Sequence, residues 1–322
     1  MVSLSSIFNS NMIFQANKPV RFFGRGQGQV EITLLGNTKA VHARGDWLIE
    51  FDPIDYGGPY TIGVMLDGIC TKLRDVYFGD VYLLGGQSNM QFKLRECNEP
   101  NETYRGNENV RMFTIDRLED GEYFFSRDGW VTLTKENAGE FSSIGYYVSQ
   151  ELARNDRKIG LVSCYQGASA IQPWIRKDLA DKFPFAFANH SYPVWNGNGV
   201  LFERMLKEII PFSMSHVLWY QGESNAHTVE AELYTDMLSC MVNNWRHDFK
   251  DESLKFVIVQ IANYIWAEDQ KGWKIIQELQ QVAPKYIEGL KTVICHDICE
   301  DDDIHPKSKR VLSQRIVKSI ES

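Results

Sequence analysis

Short apolar segments dominate the first seventy or so residues, and Gly, Asn and Asp separate them. Several of these segments alternate apolar and polar positions, so that a strand could bury one face and expose the other. Regularly spaced short strands of this kind are typical of a small antiparallel β-sandwich. We therefore predict an N-terminal β-sandwich domain over residues 1–75, with strands at 20–24, 30–34, 41–43, 47–51 and 60–64.

A different pattern follows from about residue 76, where apolar strand-like segments alternate with amphipathic ones. Segment 200–210 is the clearest of the latter, because its apolar residues recur at helical spacing and Pro211 follows it. The alternation predicts an α/β fold with a mainly parallel five-stranded sheet and helices on both faces, over residues 76–322. The predicted strands are 78–84, 158–164, 215–221, 255–261 and 290–295, and the predicted helices are 144–155, 200–210, 229–246, 273–283 and 306–320.

Composition excludes several classes of protein. With 43% hydrophobic residues and a net charge of −8, the 322-residue chain is typical of a globular protein and has no basic stripe for a nucleic acid. No apolar stretch approaches the roughly 20 residues that span a membrane, so we expect no membrane partner. Residues 1–6 lack the features of a signal peptide, and we expect a cytoplasmic protein, with secretion left open if the chain is a piece of a longer one.

The sequence offers little support for a metal or another cofactor. Its six cysteines form no C-x-x-C pair. Cys295 and Cys299 lie close to His296 and Asp297, but this spacing is not that of a usual structural zinc site. We therefore expect neither a metal nor a cofactor.

The first candidate for chemistry is a serine that directly follows an apolar strand. The strand Asp80–Leu84 runs into Gly85-Gly86-Gln87-Ser88-Asn89-Met90. Two glycines permit a tight turn, and a helix opening after it would point free N–H groups at whatever Ser88 attacks. Phosphate-binding loops and plain structural turns share this pattern, so a nucleophilic role depends on partners elsewhere in the chain.

One such partner lies near the far end of the chain, in Asp302-Asp303-Ile304-His305-Pro306. A serine becomes nucleophilic when a base takes its proton, and a carboxylate can fix the tautomer of a histidine base. Pro306 suits the first position of a final helix. The alternative is an acidic surface turn that happens to contain a histidine.

A third segment is rich in polar groups at the end of a strand. The apolar residues 215–220 lead into Gln221-Gly222-Glu223-Ser224-Asn225-Ala226. Buried amide and carboxyl groups are costly, and ligands bind at the carboxyl ends of parallel strands. We expect this turn, the Ser88 turn and Tyr165-Gln166-Gly167 to meet at one edge of the sheet.

Three motifs give the chain a resemblance to the sialate O-acetylesterase family of the SGNH hydrolases, a group that also contains acetylxylan esterases. In chain order they are G-G-Q-S-N-M, W-Y-Q-G-E-S-N-A and D-I-H-P. The resemblance extends loosely from near residue 5 to near residue 316. It implies a flavodoxin-like three-layer catalytic domain behind a β-domain, and a serine esterase that removes O-acetyl groups from sialic acid or other sugars.

The resemblance also implies roles for single residues. Ser88 would be the nucleophile and His305 its base. The D-x-x-H spacing of the wider group selects Asp302 to orient the histidine, whereas the D-I-H-P pattern selects Asp303, and some relatives use a backbone carbonyl. We favour Asp302. The N–H of Ser88 and that of Gly167 would form the oxyanion hole.

Other positions have supporting roles. The side chain of Gln221 would be the third oxyanion donor, with Asn225 as the alternative. Glu223 would orient its neighbours, and Asn89 would orient the loop or touch the substrate. Trp174 is the preferred platform for a sugar ring, although tryptophan is more often a core residue. The further aromatic candidates are Tyr192, Trp195 and Trp266.

The substrate is expected to be a small molecule or glycan with O-acetyl groups. If it is sialic acid, an arginine should pair with its carboxylate, and Arg95 and Arg176 are the candidates. An SGNH lipase or thioesterase is a second enzymatic possibility. A carbohydrate-binding protein on a hydrolase fold is the non-enzymatic one, although such a protein would be expected to have lost part of the Ser88–His305 machinery.

Overall fold

The computed structural model describes residues 1–118 and 129–322. In these two ranges the chain forms twelve strands and eight α-helices, joined by loops and short 3₁₀ turns. The strands are β1 (Ser3–Leu4), β2 (Ile13–Gln15), β3 (Val20–Leu34), β4 (Asn37–Phe51), β5 (Gly57–Leu66), β6 (Ile69–Gly86), β7 (Asn107–Thr114), β8 (Val131–Leu133), β9 (Ile159–Tyr165), β10 (His216–Tyr220), β11 (Lys255–Val259) and β12 (Leu290–Val293). The helices are α1 (Ser88–Gln91), α2 (Ser143–Leu152), α3 (Lys177–Ala180), α4 (Val200–Arg204), α5 (Thr228–Ala231), α6 (Tyr234–Asp248), α7 (Gln270–Val282) and α8 (Lys309–Glu321).

The N-terminal strands form one hydrogen-bonded sheet. β3 and β4 make a long antiparallel hairpin, and β5 joins β3 to the first half of β6 in antiparallel pairs. The short β1 pairs with β3 and β2 with β6. All of the predicted strand segments lie in β3, β4 or β5, but the two-sheet sandwich predicted for this part of the chain is not confirmed.

The rest of the chain builds an α/β fold around a second sheet. Its parallel strands lie in the order β7, β9, β6, β10, β11, β12, with β8 antiparallel to β7 at one edge. All five predicted strands are present as neighbours, and β7 is a sixth parallel strand that the prediction missed. Its apolar run is interrupted by Arg111, which is buried because its guanidinium donates to the carbonyls of Asn11 and Asp75 and to the Asp75 carboxylate. Helices α2 and α8 pack against each other and against this sheet.

The two sheets share a single strand. The first half of β6 pairs with β5, and residues 80–86 pair with β9 and β10. The boundary predicted between residues 75 and 76 therefore falls inside β6. Aromatic side chains also connect the N-terminal strands with the rest of the chain. The ring centroids of Phe14 in β2 and Phe212, which precedes β10, lie 5.5 Å apart.

Three predicted helices differ from the observed ones. The helix predicted over 229–246 is observed as two, α5 and α6. Segment 200–210 is helical only to Arg204, because the backbone of Met205 leaves the helical range and a 3₁₀ turn follows it. The final helix begins at Lys309 rather than at Pro306. The carboxylate of Glu300 accepts hydrogen bonds from the backbone N–H and the hydroxyl of Ser308, and these hold the residues before α8 in a turn.

Candidate active site

Three loops leave the central sheet at the same level. In the strand register Gly86, the last residue of β6, lies between Tyr165 of β9 and Tyr220 of β10. Gly86 has a φ of +122°, and a Cβ there would lie 2.1 Å from the carbonyl oxygen of Tyr220. Only glycine fits this position, so the turn to Ser88 depends on it.

Ser88 and His305 are brought together from opposite ends of the chain. The Oγ atom of Ser88 lies 2.8 Å from Nε2 of His305, and the imidazole stacks on the ring of Phe92 with a centroid distance of 5.9 Å. Burial and then the positive charge of Lys309 hold the pKa of His305 below its ordinary value of 6.5. The ring is therefore neutral at neutral pH and able to accept a proton from the serine.

The two candidate orienting carboxylates are placed differently. Asp303 accepts a hydrogen bond of 2.8 Å from the backbone N–H of His305. The side chain of Asp302 is exposed and has no hydrogen bond to His305 in the described part of the chain. The structure thus does not bring the favoured Asp302 to the imidazole, because the inward turn at Asp303 leaves the preceding residue facing solvent. Asp303 therefore fixes the backbone of the loop at His305 and makes no hydrogen bond to the imidazole ring in the described part of the chain.

This placement predicts unequal effects of replacing the two aspartates. We expect Asp302→Asn to keep kcat/KM within about twofold of the unaltered protein, as for most exposed positions. Asp303→Ala should lower kcat/KM about tenfold, because it removes a charge-assisted hydrogen bond worth roughly 1.5–3 kcal/mol that fixes the histidine loop. Initial rates of ester hydrolysis for both variants check this. A collapse of activity in Asp302→Asn alone would show that Asp302 reaches the imidazole during turnover.

Two backbone N–H groups of the predicted oxyanion hole lie beside the nucleophile. Ser88 opens α1, where the first N–H groups have no helical carbonyl to bind. A Cβ built on Gly167 would lie 3.9 Å from Cβ of Ser88, and the N–H of Gly167 donates to Oε1 of Gln91 at 3.1 Å. The side-chain oxygen of Gln91 thus already accepts from the N–H group that the tetrahedral oxygen would use. The substrate would have to displace this oxygen.

Neither predicted side-chain donor is free. Both amide hydrogens of the buried Gln221 are used, since Nε2 donates to Ser169 O at 3.1 Å and to Asn225 Oδ1 at 2.7 Å. The Nδ2 atom of Asn225 donates to Gln172 Oε1 at 2.9 Å and to the carboxylate of Glu230. The two amides instead brace the turn after β10 against the segment after β9. In this geometry neither serves as the third oxyanion donor.

Asn89 and Glu223 belong to one buried network beneath the serine. Asn89 Nδ2 donates to Glu223 Oε1 at 2.6 Å and to the carbonyl oxygen of Ile304 at 2.9 Å. Its Oδ1 accepts from Nζ of Lys309 at 2.6 Å. These contacts are the ones that an orienting role would require, and the role itself stays a prediction for both residues. The sequence analysis missed Lys309, although its position four residues after His305 was visible.

The aromatic candidates separate into core and surface residues. Trp174 is fully buried, meets Trp219 edge-on at 5.8 Å and donates to Ser169 Oγ, so it cannot stack on a sugar. Trp195 is also buried. Trp266, by contrast, is 68% exposed, and Tyr192 is 44% exposed. Trp174 was therefore the wrong choice, because its apolar bulk completes the core behind β10.

The arginines proposed for a substrate carboxylate both have acidic partners. Arg95 pairs with Glu140, and Arg176 pairs with Asp178 and Asp248.

Residues 1–118 and 129–322 contain no group of three or more acidic, cysteine and histidine side chains that could hold a metal ion. Over the same residues, no helix is both long and apolar enough to cross a bilayer.

Comparison with known proteins gives consistent matches. A family model described as carbohydrate esterase, sialic acid-specific acetylesterase, matches residues 78–321. The sialate O-acetylesterase of Homo sapiens is 25% identical over 364 residues, covering 97% of this chain and 69% of that protein. A probable carbohydrate esterase of Arabidopsis thaliana is 31% identical over 122 residues, covering 36% of this chain and 39% of that protein. The crystal structure of a carbohydrate acetylesterase from Xanthomonas citri aligns with a TM-score of 0.84 and 27% identity, covering 98% of this chain and 74% of that one.

Proposed function

Because the chain belongs to the carbohydrate esterase family of sialic acid-specific acetylesterases, we propose that it removes O-acetyl groups from sugars through an acyl-enzyme on Ser88. The observation that carries this proposal is the 2.8 Å distance between Ser88 Oγ and His305 Nε2. A neutral imidazole at this distance from a hydroxyl can act as its general base. The serine at the end of a central parallel strand also supports an SGNH-type layout.

The proposed reaction has two halves. In the first, Ser88 Oγ attacks the acetyl carbonyl while His305 Nε2 takes its proton, and the resulting oxyanion accepts hydrogen bonds from the N–H groups of Ser88 and Gly167. The sugar oxygen then leaves with the proton held by His305. In the second half, His305 removes a proton from water, the hydroxide attacks the acetyl-enzyme, and Ser88 leaves with that proton as acetate is released.

We infer O-acetylated sialic acid as the first substrate candidate, because the matching family model and the curated relatives carry that description. Acetylated xylan and other neutral acetyl sugars form the second candidate. The ion pairs of Arg95 and Arg176 favour the second group, since both guanidinium groups already have carboxylate partners.

A panel of esters tests these assignments. Acetate release should be measured from p-nitrophenyl acetate, O-acetylated sialic acid and acetylated xylan, with p-nitrophenyl octanoate as the lipase substrate and Ser88→Ala as the blank. We expect acetyl esters to be cleaved far faster than the octanoyl ester, and the two sugars to identify the substrate class. Absence of acetate release from every acetyl ester would refute the esterase assignment and favour a carbohydrate-binding protein.

A further inference from the structure

Lys309 carries its ammonium group in an unusual place. Its side chain is fully buried, and it is the first residue of α8. Burial disfavours a positive charge, and so does the N-terminal end of a helix, where the helix dipole is positive. Burial accordingly lowers the pKa of this lysine. A cation kept at such a position requires specific compensation from its neighbours.

That compensation comes from the residues around the nucleophile. The Nζ atom donates to Asn89 Oδ1 at 2.6 Å and lies over the rings of Phe92 and Tyr220, 5.3 and 5.2 Å from their centroids. Phe92 is also the ring on which His305 stacks. Lys309 therefore contacts the residue after the serine and the aromatic support of the histidine.

The lysine fixes the orientation of the Asn89 amide. An ammonium group can only donate, so it requires Oδ1 on its side, and the carbonyl of Ile304 can only accept, so it requires Nδ2 on the other. The remaining amide hydrogen goes to Glu223. The correctly oriented amide thereby ties the Ser88 turn to the residue before His305.

We propose that Lys309 is a positioning residue of the esterase, whose buried ammonium group locks the Asn89 amide between the serine and histidine loops and lies against the aromatic ring that supports His305. The proposal rests on the proposed function and deepens it. It accounts for a histidine with no carboxylate on its ring among the described residues, since Lys309, Asn89 and Phe92 supply the positioning that such a carboxylate would otherwise give.

The charges that face His305 determine the direction of the electrostatic effect. Lys309 lowers the pKa of the imidazole, whereas Asp303 and Glu96 raise it. Burial lowers the pKa of Lys309 itself, and the nearby carboxyl group of Glu223 partly offsets this effect. Removing the lysine charge should therefore raise the pKa of His305, so that the base becomes protonated, and inactive, at a higher pH than in the unaltered protein.

The test uses two replacements and a matched control. Lys309→Gln removes the charge but keeps a donor for Asn89 Oδ1, and Lys309→Met removes both. Lys307→Gln makes the same charge change two residues away at an exposed side chain. The measurements are the pH profile of kcat/KM on p-nitrophenyl acetate, the thermal midpoint, and an NMR titration of the His305 ring, assigned by the signal that disappears in His305→Gln.

We expect Lys309→Gln to move the acidic limb of kcat/KM and the NMR pKa of His305 upward together, with Lys307→Gln leaving both in place. Lys309→Met should in addition lower kcat on the plateau by on the order of tenfold to a hundredfold, because the dyad geometry loosens. If Lys309→Gln changes only the thermal midpoint and leaves both titrations unshifted, the lysine is merely structural and the proposal is overturned. A protein inactive on every ester would refute the proposed function alone, since the NMR titration needs no turnover.

Discussion

Replacement of Ser88 by alanine is expected to lower kcat for acetate release by about 10⁴- to 10⁶-fold, the loss seen when the nucleophile of a serine hydrolase is removed. The hydroxyl is the atom that forms the acyl bond, and the structure places it 2.8 Å from its base. Alanine fills less space than serine and keeps the turn, so we expect the thermal midpoint to change little. The measurement is acetate release on the best substrate of the panel.

Ser6→Ala is a suitable control, because Ser6 is exposed and lies in the N-terminal part of the chain. It should retain full activity. Mass spectrometry of the intact protein during turnover adds an independent readout: a transient mass increase of one acetyl group should appear with the unaltered protein and be absent with Ser88→Ala. Retention of substantial activity by Ser88→Ala would rule out the acyl-enzyme.

Replacement of His305 by glutamine should be almost as damaging, with an expected loss of about 10⁴- to 10⁶-fold in kcat. Glutamine can hydrogen-bond to Ser88 but cannot take its proton. In the unaltered protein kcat/KM should fall as the pH drops through the pKa of His305, which burial and Lys309 hold below 6.5, because the protonated ring no longer accepts. The residual rate of His305→Gln should lack this acidic limb.

Two further variants test the role of His305 more strictly. The exposed His42 offers a matched control, and His42→Gln should leave both the rate and the pH profile unchanged. The double variant Ser88→Ala/His305→Gln should be no slower than either single variant, since both residues act in one proton transfer. Additive losses would mean that the two side chains work in separate steps.

The strands that place the serine could be predicted from the sequence because their signal is local. Residues 81–84 and 256–259, for example, are apolar without interruption, as expected for strands buried in a parallel sheet. The strand β7 was missed because Arg111 interrupts its apolar residues, and burial of that guanidinium depends on the distant Asn11 and Asp75. A sequence cannot show a partner that folding brings from another sheet.

In the candidate site, too, some features could be predicted from the sequence and others could not. The pairing of Ser88 with His305 could be predicted, because both lie in motifs with a defined chemistry. The roles expected of Gln221 and Asn225 did not agree with the geometry, since their amide hydrogens go to other acceptors, among them Ser169 and Gln172, which are more than fifty residues away in the sequence. The tertiary neighbours of a buried amide decide which hydrogen bonds it makes. The residue type shows only that a buried amide needs hydrogen-bond partners.

The continuous strand β6 limits how this protein can be divided or recombined. A fragment starting at residue 76 would cut β6 partway along its length and discard Gln15, whose side-chain Oε1 accepts from the N–H of Val81 at 2.8 Å. The new chain terminus would lie ten residues before Gly86, in the strand that carries the nucleophile turn. A chimera or minimal enzyme made from this chain therefore has to inherit the N-terminal sheet together with Ser88.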